Sequence, residues 1–263
     1  MPRSADAGKG LTAIVLGTNE IASAVGVFLH RVGFGVVLSQ DDDHPVLRRK
    51  MAFHDALFGD TVKLDEVRAE RADNGMQIFN ALRHFRLVQV TWLGLPDLMP
   101  VGTIDVLIDA RLQAQYRRPD LRGLARTSIG LGPGFVAGGN CDAAIEVLGA
   151  RCAIDPASIV SALHAGRWHA HREIGAPVHR GEIIGDLSGD PQRAACDGVL
   201  RGLVRDGREV AAGITLLEID RRGRHAQWTG IDDHSRAVAK AVLRALKLPA
   251  ATKRRPKSAR FPA

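Results

Sequence analysis

A thirteen-residue pattern occurs twice in this chain, at 175–187 (GAPVHRGEIIGDL) and 207–219 (GREVAAGITLLEI), thirty-two positions apart. Gly175 matches Gly207, Val178 matches Val210, Gly181 matches Gly213, Ile184 matches Leu216, and Leu187 matches Ile219. Glycines at equivalent places mark turns, and the apolar residues between them mark buried strand positions. The pattern therefore predicts a strand-rich module, over 171–225, built from two equivalent halves about a pseudo-twofold axis.

The other end of the chain has a different period. Leu11 to Leu16 is apolar and partly β-branched, Gly17-Thr18-Asn19-Glu20 reads as a turn, and Ile21, Val25, Phe28, Leu29 and Val32 follow at helical spacing. Gly33 stops that helix, and Phe34 to Leu38 forms a second strand. This is a β-α-β unit. Further strands at 87–92, 104–108 and 127–131, with a helix within 74–84, predict an α/β fold over residues 10–150, a Rossmann-like parallel-sheet domain. Asp155-Pro156 offers a cap and first helical position for a short helix inside a linker at 151–170. A C-terminal amphipathic helix is expected over 231–248 through Val238, Val242 and Leu246.

Net charge limits the choice of partner. The chain carries 36 Lys+Arg against 29 Asp+Glu, or +7. Lys253, Arg254, Arg255, Lys257 and Arg260 supply five of those charges within 249–263, a Pro-containing segment with no acid that reads as a basic disordered tail. The body is then about +2, which argues against a nucleic-acid surface. Three cysteines, Cys141, Cys152 and Cys196, form no C-x-x-C pair, which suits a cytoplasmic protein with neither zinc site nor disulfide scaffold. The short run after the N-terminus is neither signal peptide nor membrane span, so no membrane partner is expected.

Three segments can meet a ligand. The turn with Gly17, Asn19 and Glu20 sits where a G-x-G-x-x-G fingerprint would, but Asn19 replaces the glycine that lets a backbone approach a pyrophosphate. Anion binding at the helix N-terminus does not need that glycine. Gly132, Pro133, Gly134, Phe135 and Gly138 form a glycine-rich loop after a strand, where Phe135 either stacks on a planar ring or fills the core. Asp109 and Arg111 lie at another strand end, able to orient a ligand and fork onto a phosphate, or to pair with each other. Arg48 and Arg49 can bind anions or face solvent. His169 and His171 alternate as a strand-edge chelate would, while surface histidines are the commoner case. No H-E-x-x-H or G-x-S-x-G occurs.

Two resemblances add to this. V-x-x-G-x-x-(I/L) in the repeat resembles the barrel-sandwich hybrid of biotinyl and lipoyl domains. No lysine stands between Lys63 and Lys240, so the module cannot carry biotin or lipoate and is read as a structural or docking unit. HPVLRRKMAFHDALFGD at 44–60, DARLQ at 109–113, IGLGPGFVAGGNCDAAIEV at 129–147 and DGVLRGLVRDGREVAAGITLLEIDRRG at 197–223 resemble the YqeB-type accessory proteins of selenium-dependent molybdenum hydroxylase systems. These are related to the XdhC and CoxI maturation factors of xanthine and carbon monoxide dehydrogenases. The resemblance implies a Rossmann-like domain followed by a barrel-sandwich module. It further implies a non-catalytic role in maturing a molybdenum hydroxylase, alongside other maturation proteins, by binding molybdenum cofactor (molybdopterin) or assisting its sulfuration or insertion. Arg111 and the loop from Gly132 to Gly138 would face that cofactor. The rival expectation, from the β-α-β unit, is an NAD(P)-binding oxidoreductase acting on a small metabolite.

Overall fold

The structure is a computed structural model that describes residues 10–41, 43–84, 87–112, 118–147 and 156–248. The basic tail, Cys152, Asp42 and the Asp155 cap lie outside the described residues. The first half runs β1 (Thr12–Leu16), α1 (Glu20–Arg31), β2 (Gly35–Ser39), β3 (Val62–Leu64), β4 (Val67–Arg71), α2 (Gly75–Leu82), β5 (Val88–Thr91), α3 (Leu95–Leu98), β6 (Val106–Asp109), β7 (Thr127–Leu131) and β8 (Ala143–Ile145). These strands form one eight-stranded sheet in the order β3-β4-β5-β2-β1-β6-β7-β8.

Side chains alternate across this sheet, as strand geometry requires. Ala13 and Val15 join a core with Val25, Phe28 and Leu29 of α1, whereas Ile14 and Leu16 join a second core with Ile78 and Leu98. Both faces of β1 are therefore buried, which is why its sequence is a continuous apolar run rather than an alternating one. The final helix, α4 (Asp233–Ala245), returns to the first face: its Val238, Ala239, Val242 and Leu243 share the α1 core.

The second half holds β9 (Ile159–Ser161), β10 (Gly166–Ala170), β11 (Pro177–Val178), β12 (Ile183–Leu187), β13 (Asp190–Arg193), β14 (Gly198–Leu203), β15 (Glu209–Val210) and β16 (Thr215–Asp220). They form two antiparallel sheets, β13-β12-β10-β15 and β11-β14-β16-β9. Adding thirty-two to the residue numbers of β9, β10, β11 and β12 lands on β13, β14, β15 and β16 in turn. The same shift converts one sheet order into the other, so each sheet draws strands from both repeats. Trp168, Ile184, Leu187, Leu200, Leu216 and Ile219 are buried together in the core that the two sheets share.

The expected Rossmann-like parallel-sheet domain followed by a biotinyl-like barrel is corrected here. The large sheet is mixed, since β3 runs antiparallel to β4, and among the described residues no helix separates β6, β7 and β8. Helices are few, and one cover helix comes from the far end of the chain. The second half is a pair of four-stranded antiparallel sheets bonded to the first half, not a separate barrel. The expected linker at 151–170 contains β9 and β10, and the expected short helix is a single 3-10 turn at Pro156–Ser158. Ile159-Val160-Ser161 is rich in β-branched residues and pairs with β16, which overrides the helix start before it.

Candidate functional site

Strand order reverses at β1: the chain runs outward through β2 and later returns to place β6 on the other side of β1. Such a reversal leaves a crevice beyond the carboxyl ends of the strands. A cavity of ≈ 460 Å³ lies there, lined by Asp41, Asp43, His44 and Pro45 after β2 and by Arg111 and Arg118 after β6. The facing wall is the second half: Glu209 and Val210 of β15, with Ala211 and Ile214. This volume is within the range of small-ligand sites.

Arg111 is held in place on the cleft wall. Its Nη2 donates to Asp109 Oδ2 at 2.6 Å and its Nη1 to Asp41 Oδ2 at 3.0 Å, and Asp109 is fully buried. The two groups pair internally, with both ends of the fork taken by carboxylates, while the arginine still lines the cavity.

The glycine-rich loop holds a different arginine. Phe135 is buried, and a Cβ on Gly130 would fall 2.0 Å from its ring, so the absent side chain of Gly130 makes the slot that Phe135 fills. Phe135 belongs to the core and is not placed to stack on a ligand. Arg118 lies over that ring, 5.1 Å from the centroid, and its Nε donates to the Pro133 carbonyl at 3.0 Å. Gly134 has φ +86°, and a Cβ there would come within 3.1 Å of the Arg118 stem. Gly132 and Gly138 are also left-handed, and Gly138 N donates to the Cys141 carbonyl at 2.8 Å. The Cys141 thiol is buried, which pushes its pKa up, and it is not poised as a nucleophile.

The first loop is directed inward. Asn19 caps α1, its Oδ1 accepting from Ile21 N and Ala22 N at 3.0 and 2.9 Å, while its Nδ2 donates to the Ala110 carbonyl at 2.7 Å. The helix N-terminus therefore spends its leading N–H groups on its own cap. Gly17 packs against the Ala110 backbone, where a Cβ would meet the carbonyl oxygen at 3.0 Å. Glu20 reaches Arg48 at 3.0 Å. Arg48 is buried and forks onto Glu218 of β16 through Nε at 2.8 Å and Nη2 at 2.9 Å. Burial works against its charge, but Glu20, Glu218 and Asp232 hold the guanidinium pKa above its usual value. Arg49 donates to the Leu203 carbonyl at 2.9 Å and to Asp55 at 2.7 Å. Arg48 and Arg49 therefore join the two halves and lie away from the cleft lining.

A buried polar cluster beside this joint has no counterpart in the sequence reading. The Thr18 hydroxyl contacts Gln40 Oε1 and, at 2.8 Å, His54 Nδ1. Gln40 Nε2 donates to the His44 carbonyl at 3.3 Å, which turns its oxygen toward Thr18. The hydroxyl proton then goes to Gln40, and His54 donates through Nδ1 as a neutral ring. Burial, with Arg208, Arg49 and Arg205 nearby, lowers the His54 pKa to about 3. Phe58 and Trp92 pack edge-on around it. The cluster fixes the segment that carries His44 and Pro45 into the cleft. Gln40 and His54 stand 22 and 36 residues after Thr18, and only the fold brings them together.

His169 and His171 each face a carboxylate, Asp206 at 3.6 Å and Asp186 at 3.1 Å. Among the described residues no group of three or more His, Cys, Asp or Glu is arranged to hold a metal ion. No helix among them is long and apolar enough to cross a membrane.

No protein-family model matches the chain. It is 29% identical over 259 positions to the uncharacterized protein YqeB of Escherichia coli (strain K12), covering 89% of this chain and 47% of YqeB. The chain thus spans about half the length of that relative. Two solved structures align broadly. One is an aspartoacylase family protein from Mesorhizobium loti, 10% identical over 80% of this chain and 84% of that chain, with a TM-score of 0.28. The other is a succinylglutamate desuccinylase/aspartoacylase from Rhodobacter sphaeroides, 13% identical over 81% and 86%, with a TM-score of 0.26. TM-scores this low do not establish a shared fold. The similarity to YqeB thus runs over most of this chain.

Proposed function

We propose that this chain is an accessory protein in the maturation of a molybdenum hydroxylase of the xanthine or carbon monoxide dehydrogenase kind, and that its cleft holds a small acidic ligand of the molybdopterin type. The likeness to YqeB and the glycine-loop and DGVLRGL segments motivate the first part. The observation that carries the second is the 460 Å³ cleft, whose large-sheet side carries Arg111 and Arg118 beside Asp41 and Asp43 and whose facing wall is apolar next to Glu209. A pterin phosphate fits the arginine side. The ring cannot use Phe135, which is buried under Gly130, but Val210, Ala211 and Ile214 on the facing wall and Pro45 on the large-sheet side offer apolar contact. When bound, the group supplies the molybdenum centre that the client enzyme uses. The residues here would bind, orient and shield it.

Holding is better supported than sulfur transfer, because the thiol beside the loop, Cys141, is buried with its pKa raised. The test is to purify the protein from cells that make molybdenum cofactor, oxidise it, and measure pterin fluorescence and molybdenum while titrating NAD and NADP. Pterin near one per chain is the expected result. No pterin, together with micromolar nicotinamide binding, would replace this reading with an NAD(P)-dependent oxidoreductase.

A further inference from the structure

We infer that Arg118 is the anchor for the acidic group of the ligand. The inference takes the cleft as the ligand site, as above, but does not depend on which enzyme is served. Three features of the chain are spent on holding this one side chain. The Pro133 carbonyl accepts from Nε, the Phe135 ring supports the guanidinium plane, and the missing side chain of Gly134 gives the stem room to lie across the loop. After all three, Arg118 Nη2 is shielded from solvent and has no hydrogen-bond partner among the described residues.

A shielded guanidinium nitrogen without an acceptor is costly, because it has lost water and gained nothing in return. Among the described arginines it differs from Arg48 and Arg111, whose forks are closed by carboxylates. Arg118 lies on the cleft wall, and its Nη1 also has no hydrogen-bond partner among the described residues, so an acceptor in the cleft can meet the fork at Nη1. A guanidinium held in place but incompletely paired suits a planar, two-oxygen partner: a phosphate or a carboxylate. Little side-chain ordering remains to oppose binding.

Phenyl phosphate and benzoate, with benzamide as the uncharged control, test this by titration calorimetry. Wild-type protein is expected to bind at least one of the acids and not the amide, and the preferred acid identifies the group the anchor is built for. Arg118→Ala should weaken binding about ten- to a hundredfold, while Arg118→Lys, which keeps the charge without the fork, should fall between. Arg172→Ala removes an exposed arginine paired with Glu182 outside the cleft lining and should change nothing. Thermal unfolding of each variant checks that it folds; if Arg118→Ala does not, Arg118→Lys decides. Unaltered binding in the folded Arg118 variant, or no acid binding by wild type, overturns the anchor. Pterin absent from wild type, with Arg118-dependent binding of phenyl phosphate, would end the maturation reading and leave the anchor standing. Pterin kept at wild-type level by Arg118→Ala would do the reverse.

Discussion

Around the cleft, Gly130 and Gly134 each lie against another part of the chain, Phe135 and Arg118 respectively, whereas Gly181 and Gly213 in the repeat turns have open space where a Cβ would go. Both of the first pair are there for the atoms they lack, and Gly134, at φ +86°, for a left-handed backbone as well. The second pair is there for a left-handed backbone, φ +85° and +83°. The first two thus shape the loop beside the cleft, and the other two repeat a turn. The ion pairs divide in the same way: those of the cleft hold Arg111 on its wall, and those of the joint fasten one half to the other.

The joint gives the largest expected effect. Arg48→Ala would leave Glu218 buried with its principal partner gone and Glu20 unpaired. Breaking a buried pair from one side costs about 3–5 kcal/mol, so urea unfolding should show a loss of that size. A loss below about 1 kcal/mol would mean that the two halves are held by apolar contact, and that the polar joint is incidental.

Within the cleft half, Gly130→Ala would drive a methyl into the Phe135 ring, where the available distance is 2.0 Å. Overpacking of this kind costs about 1–3 kcal/mol. Because Phe135 supports Arg118, the variant should also lower affinity for the preferred acid. Stability lost with full binding retained would detach the ring from the anchor.

The cluster beside the joint predicts a pH dependence. His54 has a folded pKa near 3 against an ordinary 6.5. Between those values the unfolded chain takes up a proton that the folded chain refuses, so acidification favours unfolding. Stability should fall as pH drops from 6.5 toward 3 and stay level above 6.5, with a slope of up to about 1.4 kcal/mol per pH unit. His54→Gln should remove this component. Identical pH profiles for the two proteins would show that the imidazole does not resist protonation in the fold.

The two halves were also unequally legible in the sequence. β1, α1 and β2 could be read because both faces of β1 are buried and α1 keeps one apolar stripe. β3 and β4 could not, since VKLDEVRAER buries only Leu64, Val67 and Ala69 and otherwise shows charge. The repeat gave β11, β12, β15 and β16 their equivalence. The same shift relating β9 to β13 was hidden, because Ile159-Val160-Ser161 and Pro191-Gln192-Arg193 share no residue. Of the site, Asp109 and Arg111 were readable from their place at a strand end. Arg118 was not, since a single loop arginine carries no pattern. Arg48 looked like an anion ligand because its partner, Glu218, is 170 residues away. Phe135 could be read as a stacking ring or a core residue, because its slot is made by the absence of a side chain at Gly130, five positions earlier.

The smallest effect tests the repeat itself. Gly181 and Gly213 occupy equivalent turns with nearly equal φ, and nothing lies within 4 Å of an added Cβ at either. An alanine there meets no neighbour, so its cost is the left-handed conformation alone, about 1 kcal/mol. If the pseudo-twofold is energetic as well as geometric, Gly181→Ala and Gly213→Ala should lower stability by the same amount. The turns are far apart in contacts, so the double variant should show the sum. A clear difference between the single variants would show that β11–β12 and β15–β16 have diverged. The natural cause would be that β15 also forms a wall of the cleft, through Glu209 and Val210. Adding the preferred acid separates the cases: a ligand that stabilises Gly181→Ala more than Gly213→Ala places the divergence in the cleft wall, and equal stabilisation places it in the turn.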